Sequence, residues 1–226
     1  MLDYYKDIKK IGGWLTKNEA MFLYKTAMSL NEYPAVEIGS WKGKSTICLG
    51  LGSKDGNRVK IYAIDPHTGS SEHNRWYGKV DTYDEFIKNI KDNTLLDLVI
   101  PLKLVSKEAV TLIKEDRLSF IFVDGAHEYK YVMLDYELWF PKLNEGSFIA
   151  FHDCWHALGV HYLTAKLLVT SSEIRNPKLI DTMTVFEKVK KNNVLDRFIN
   201  VTFVIYRFAF GWIGTIKMDL TGTVEN

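Results

Sequence analysis

The stretch Ala35-Val-Glu-Ile-Gly-Ser-Trp-Lys-Gly-Lys-Ser-Thr46 decides the fold. A short apolar run, Ala35 to Ile38, carries an acid at Glu37 and breaks at Gly39. A second glycine, Gly43, and Lys44-Ser-Thr then open a predicted helix that runs through Leu51. Strand, glycine-rich turn and helix make the first unit of a doubly wound, mostly parallel α/β sheet. Glycine at such a turn lets a ligand approach the backbone, and the helix start presents unsatisfied N–H groups.

Two nucleotide-binding patterns compete for this turn. A phosphate loop places four residues between its first glycine and Gly-Lys-Ser/Thr, and here only Ser40, Trp41 and Lys42 intervene. Glu37, in the strand just before the turn, would repel a polyphosphate. Ser40-Trp41 also breaks the G-x-G-x-x-G pattern of dinucleotide sites. An acid followed by a glycine turn suits a ligand with a cationic or hydroxyl-bearing end. The rival enzyme reading is an ATP or GTP hydrolase or kinase built on Gly43-Lys44-Ser45. The rival outside enzymes is a cofactor-binding regulatory protein on the same fold.

The whole chain bounds these readings. Its 226 residues suffice for one sizeable core, and 46% apolar with 25% charged residues is the balance of an ordinary globular protein. A net charge of +1 without a Lys/Arg tract gives no reason to expect a nucleic-acid partner. Cys48 and Cys154 show no CxxC spacing, and the N-terminus has no long apolar run of a secretory signal. A reducing, cytoplasmic compartment is expected.

Outward from the turn, strands alternate with helices. Thr16 and Glu19 have capping-box spacing ahead of a helix from Lys17 to about Ser29. Strands are expected at 59–64, 98–105, 120–123 and 147–151, the last after a turn at Asn144-Glu-Gly146. A closing pair at 173–180 and 182–189 brings the sheet to seven strands. Helices are expected at 84–92 and 130–139. The polar, aromatic segment 67–78 reads as a lid or substrate loop, with His67, His73, Trp76 and later Trp155 as candidates to shape an acceptor pocket.

The chemistry gathers at strand ends. Asp65 lies 26 positions beyond Gly39, where an acid in doubly wound folds accepts hydrogen bonds from a ribose diol. Asp124, His127, His152 and Asp153 follow two strands that should be neighbours, so four ionisable groups converge beside the turn. Three Asp or His side chains can hold a divalent cation and leave positions open for substrate oxygens. A histidine beside them can act as general base.

These segments resemble the class I S-adenosylmethionine-dependent methyltransferases, in particular the metal-dependent small-molecule and sugar O-methyltransferases. The resemblance covers residues 16–188. It is carried by Val36-Glu-Ile-Gly-Ser-Trp-Lys-Gly-Lys-Ser-Thr46, Tyr62-Ala-Ile-Asp-Pro66, Phe122-Val-Asp-Gly-Ala-His-Glu-Tyr129, and Pro141-Lys-Leu-Asn-Glu-Gly146 leading to Phe151-His-Asp153. It implies that Glu37 and Gly39, with Ser40 and Trp41, border the methionine portion of S-adenosylmethionine. Asp65 would hold the ribose, Ser106 and Lys107 would lie near the adenine, and Asp124 would touch the cofactor as well as the reacting site. Asp124, His152 and Asp153 match three metal-binding positions, and His127 matches the general base. Catechol-type relatives carry carboxylate and amide where this chain has His152-Asp153. Mg2+ or Mn2+ is expected, and histidine's softness turns the choice toward Mn2+, Fe2+ or Zn2+. His152 is open to a second role, as base rather than ligand. The acceptor expected is a small molecule or glycan hydroxyl.

The resemblance divides the chain into a methyltransferase domain with an N-terminal helical segment, 1–190, and an apolar C-terminal extension, 191–226. As a helix, the extension lines Asn193, Arg197, Asn200, Arg207, Gly211 and Gly214 along one stripe interrupted by Val204, with Phe198, Phe203, Phe208, Phe210 and Trp212 on its other faces. A wide apolar face with a thin polar seam serves packing on the domain, homodimerisation, or attachment to a membrane surface. Packing or dimerisation is the first expectation and membrane-surface association the second. Arg207 in mid-stretch argues against a full span.

Overall fold

In a computed structural model, residues 6–69 and 78–221 are described, with side chains of the last helix described as far as Phe208. Helix α1 (Lys17–Ser29) precedes strand β1 (Ala35–Ile38), α2 (Lys44–Asp55), β2 (Ile61–Ile64), α3 (Tyr83–Asp92), β3 (Val99–Leu102), α4 (Ser106–Leu112) and β4 (Leu118–Val123). Then come α5 (Tyr129–Trp139), β5 (Leu143–Phe151), α6 (Leu158–Thr170), β6 (Ile174–Ile180), β7 (Met183–Lys188) and α7 (Val194–Thr221).

The seven strands form one sheet in the order β3-β2-β1-β4-β5-β7-β6. The first five pair in parallel, and β7 runs antiparallel to both β5 and β6. This is the doubly wound arrangement expected from the first turn, with chain order reversing between β1 and β4. In β4, Phe120 and Phe122 join one buried cluster and Ile121 and Val123 the other. A strand apolar at every position from Phe120 to Val123 is therefore central, covered on both faces.

The expected elements are present with shifted bounds. Residues 144–146 do not turn the chain; they lie inside β5, whose pairing with β4 is irregular between Leu118 and Phe120. Gly146 takes φ +79 there, so the turn-like triplet bends a strand already paired through Leu143. Strand β3 stops at Leu102, because the Leu104 N–H turns back to the Leu102 carbonyl at 2.8 Å. The calls on His73 and Trp76 lie outside the described residues.

Helix α7 packs along β6 and α6 with part of its polar stripe inward: Asn200 is 0% and Arg207 1% exposed, while Asn193 and Arg197 at its start are exposed. Asn200 Nδ2 donates to the Ile174 carbonyl at 3.0 Å, and Arg207 donates to Thr164 Oγ1 at 2.9 Å and Thr184 Oγ1 at 3.1 Å. Among the described residues no helix is long and apolar enough to cross a membrane.

Candidate active site

Sheet register aligns the strand ends. Ile38 pairs with Ile64 on one side and Val123 on the other, and Val123 pairs with Phe151. The next residue of each strand therefore falls in one row: Asp65, Gly39, Asp124, His152. Ladder-type bonds continue through it, from Gly39 N to Ile64 O (2.8 Å), Asp124 N to Ile38 O (2.8 Å) and His152 N to Val123 O (3.0 Å). Gly39 has φ +89, and a Cβ there would stand 2.1 Å from the Asp124 carbonyl oxygen. Only glycine lets β1 and β4 open their ends this closely.

The β1 half of the row holds Glu37, Ser40, Trp41 and Asp65. Glu37 is fully buried; Thr46 donates to its Oε2, while Oε1 has no hydrogen-bond partner. Burial drives its carboxyl up to about 8, against the pull of Ser45 and Thr46, with Asp124 and Asp65 adding to the rise. A buried acceptor without a donor is costly, and a cation would relieve it. The Ser40 hydroxyl is likewise buried without a partner. Asp65 Oδ2 accepts the Trp41 N–H at 2.8 Å and Oδ1 the His67 N–H at 2.6 Å. It thereby ties the β1 turn to the β2 loop, and each oxygen keeps a second lone pair for a hydroxyl.

The β4–β5 half holds the metal-type donors. One ligand atom from each of Asp124, His152 and Asp153 lies within 4.8 Å of the others. His152 Nδ1 faces Asp124 Oδ1 at 3.2 Å and Asp153 Oδ2 at 3.3 Å, yet it is a buried atom without a well-formed hydrogen bond. A nitrogen aimed between two carboxylates fits a divalent cation. Asp153 reaches its position through a left-handed backbone, φ +53. Burial opposes the His152 imidazolium, but Asp124, Asp153 and Glu19 hold its pKa well above the ordinary value. Burial pushes Asp153 up, but His127 and His152 hold it far below the usual carboxylate range.

His127 stands beside this cluster, Nε2 3.4 Å from Asp153 Oδ2. Its loop is held by α6, whose Gly159 sits so close that a Cβ would meet the His127 carbonyl oxygen at 2.2 Å.

Glu19 completes the arrangement. It makes the expected capping box with Thr16, but it is 1% exposed and does more. Its oxygens accept from Thr16 N (2.9 Å), Thr182 N (2.9 Å) and Thr182 Oγ1 (2.7 Å), and Oε2 lies 3.2 Å from His152 Nε2. With Nε2–H donating to Glu19, Nδ1 is left facing Asp124 and Asp153, and on losing its proton to an arriving cation it would offer that cation its lone pair, the usual support for a metal-binding histidine. Spacing marked Glu19 as a helix cap; no local signal couples it to a histidine 133 positions away.

Other candidates take quieter places. Ser106 Oγ accepts the Trp139 indole N–H at 2.7 Å and also bonds Asp135, so it joins α4 to α5; Lys107 is exposed. His67 is 1% exposed, bonded to Thr82 at 2.9 Å and packed on Tyr83 and Phe86. It is a core residue rather than a pocket wall. Trp155 donates to the Asp181 carbonyl at 2.9 Å. Lys44 Nζ is spent on the Gly13 carbonyl at 2.6 Å, which takes from the phosphate-loop reading its cation.

Comparisons with known proteins agree with this fold. A family model described as a methyltransferase domain matches residues 36–154. The uncharacterized protein y4gI of Sinorhizobium fredii is 28% identical over 146 residues, 63% of this chain. The chain spans only 16% of that relative's length. Among solved structures, the O-methyltransferase NovP superposes with a TM-score of 0.67 at 15% identity, over 76% of this chain and 80% of its own. The O-methyltransferase from Bacillus cereus in complex with SAH gives 0.59 at 17%, over 84% and 88%. The O-methyltransferase TomG from Streptomyces achromogenes, involved in tomaymycin synthesis and solved with SAM, gives 0.56 at 14%, over 78% and 82%. At these identities the structural likeness speaks to the fold.

Proposed function

The chain belongs to the methyltransferase-domain family, and we propose that it is an S-adenosylmethionine-dependent O-methyltransferase, metal-assisted, acting on a hydroxyl of a small molecule or glycan. The observation that carries this reading is the row at the strand ends. There a buried carboxylate oxygen without a partner (Glu37) lies near a three-ligand cluster, Asp124, His152 and Asp153.

In this reading Glu37 accepts the ammonium of the cofactor's methionine end, within the turn of Gly39, Ser40 and Trp41. Asp65 accepts the ribose hydroxyls, and Ser106 and Lys107 border the adenine. Fixing both ends of the cofactor supplies the alignment on which an in-line methyl displacement depends, an effect worth several kcal/mol. Asp124, His152 and Asp153 would hold the cation, which when bound lowers the pKa of a coordinated acceptor hydroxyl. His127, oriented by Asp153, takes the hydroxyl proton as general base while the acceptor oxygen gains the methyl group. Chelation favours acceptors with vicinal oxygens, a sugar diol or a catechol. Two buried free thiols, Cys48 and Cys154, support a reducing, cytoplasmic setting.

Calorimetric titration of S-adenosylhomocysteine into the protein, first in EDTA and then with Mn2+ or Mg2+, tests the reading. Cofactor-product binding that Asp65→Ala weakens at least tenfold is expected, with a separate metal heat that Asp153→Ala removes. Methyl transfer to a panel of vicinal diols and catechols would then identify the acceptor. Absence of S-adenosylhomocysteine binding in all conditions, with ATP bound instead, would overturn it.

A further inference from the structure

Helix α7 is built inside out. Its polar residues Asp196, Asn200 and Arg207 are buried against β6 and α6, while Val194, Phe198, Val201, Ile205 and Phe208 face outward. Val194 is 85% exposed, Phe198 68%, Ile205 63% and Phe208 58%. Neighbouring α6 adds Leu158 and Tyr162, also exposed. A surface helix ordinarily turns its apolar stripe to the core and its polar face to water. Here the domain uses the polar stripe, through the Asn200 and Arg207 bonds, and cannot also cover the apolar one.

We propose that this face is the interface between two copies of the chain, paired α7 to α7 about a two-fold axis. Three observations select that occupant. Within the outward face, which also carries Leu195, Ile199 and Tyr206, the five residues Val194, Phe198, Val201, Ile205 and Phe208 follow one another at spacings of four, three, four and three, the a/d seam of helix-on-helix packing. With Leu195, Ile199 and Tyr206 added, the exposed area of these α7 residues is on the order of 800 Å2. That is what each partner gives to a standard interface, and it exceeds the ~300–600 Å2 of a typical monomer's largest patch. Charge argues against a membrane surface, which recruits helices whose Lys and Arg flank the apolar face. Between Val194 and Phe208 the cations are Arg207, buried, and one exposed residue, Arg197, whose Nε is bonded to Asn192 at 3.0 Å; the exposed Lys190 and Lys191 precede the helix rather than flank its apolar face.

The test is the mass of the full chain by sedimentation equilibrium from roughly 1 to 200 µM, with vesicle flotation alongside. The wild type should be a dimer, and Phe198→Glu/Ile205→Glu should shift its dissociation at least 100-fold toward monomer without change in circular dichroism. Val201→Asn, a milder seam change, should weaken it about tenfold, whereas Lys191→Glu, off the seam, should leave it dimeric. A wild type monomeric at 200 µM overturns the proposal, as does a dimer indifferent to both seam variants. Flotation of a monomer with anionic vesicles would also overturn it and assign the face to a membrane.

Discussion

Glu37 and Glu19 are equally hidden, 0% and 1% exposed, and they behave as opposites. Burial drives Glu37 up to about 8, while Glu19, desolvated less deeply, is held at about 2 by His152, Thr16 and Thr182. The difference is the donor count. Glu19 collects four donors over its two oxygens; Glu37 has one oxygen that collects none. Burial sets the cost of a carboxylate, and the donors around it decide whether the fold has already met that cost. Glu19 is therefore a finished piece of architecture, joining α1, the β6–β7 turn and His152. Glu37 is unfinished, and in the proposed function its missing donor comes from the ligand.

The comparison breaks most visibly at Glu19. Glu19→Ala leaves four donors, the charged His152 among them, without their acceptor, and removing one partner of a buried pair costs about 3–5 kcal/mol. Urea unfolding should show that loss. Glu19→Gln should recover only part of it: every group around the side chain is a donor, so the new NH2 has nothing to meet, leaving ~1–3 kcal/mol unrecovered. Mn2+ affinity should fall ~10–100-fold in the Gln variant, the usual cost of losing support behind a metal ligand. Full recovery of stability by Gln would mean that Glu19 acts by shape and not by charge.

The two glutamates also mark what the sequence could and could not say. Glu37 was legible because its meaning is local: an acid inside an apolar run, immediately before a glycine turn, at the start of a βα unit. The row of strand ends was legible for a related reason. Parallel strands end together, so Asp65, Asp124 and His152, each next after an apolar run, had to meet. The second role of Glu19 was hidden, since it depends on where α1 docks and which atom of His152 turns toward it, neither of which has a local signature. His67 was ambiguous for the opposite reason. A histidine opening a polar loop is open to a pocket or a packing role from sequence, and the loop begins by packing it on Tyr83 and Phe86. In α7 the polar stripe was visible at helical spacing; that Asn200 and Arg207 face inward was not, because periodicity gives two faces without saying which one the domain takes.

The unfinished state of Glu37 makes the ligand-free protein sensitive to pH. The folded carboxyl, at about 8, keeps its proton where the unfolded chain, near the ordinary 4.5, has lost it. Below 4.5 both states are protonated and stability is intact. As pH rises through the window from 4.5 to 8 the unfolded state is increasingly favoured, by up to ~1.4 kcal/mol per pH unit, or about 3 kcal/mol by pH 7. Glu37→Gln removes this dependence. The variant and the wild type should unfold alike at pH 4 and diverge as pH rises, with the variant the more stable by pH 8. Parallel stability curves across that range would show that Glu37 is ionised in the fold and that its loose oxygen has a partner after all.

Ligand binding should reverse the ranking. An ammonium delivered to Glu37 needs the carboxylate form, so at pH 7 binding of S-adenosylhomocysteine should release close to one proton. Titration in buffers of different ionisation enthalpy measures that release directly. Glu37→Gln should abolish it and weaken binding ~10–100-fold, the ~1.5–3 kcal/mol of a hydrogen bond to a charged group. Glu19→Gln should leave this proton release unchanged, because its carboxylate is already satisfied and stands on the metal side of the row. A carboxylate that improves the complex while weakening the empty fold is what separates a binding residue from an architectural one. If Glu37→Gln proved neutral to binding, the orphaned oxygen would have to be counted as a packing cost with no return.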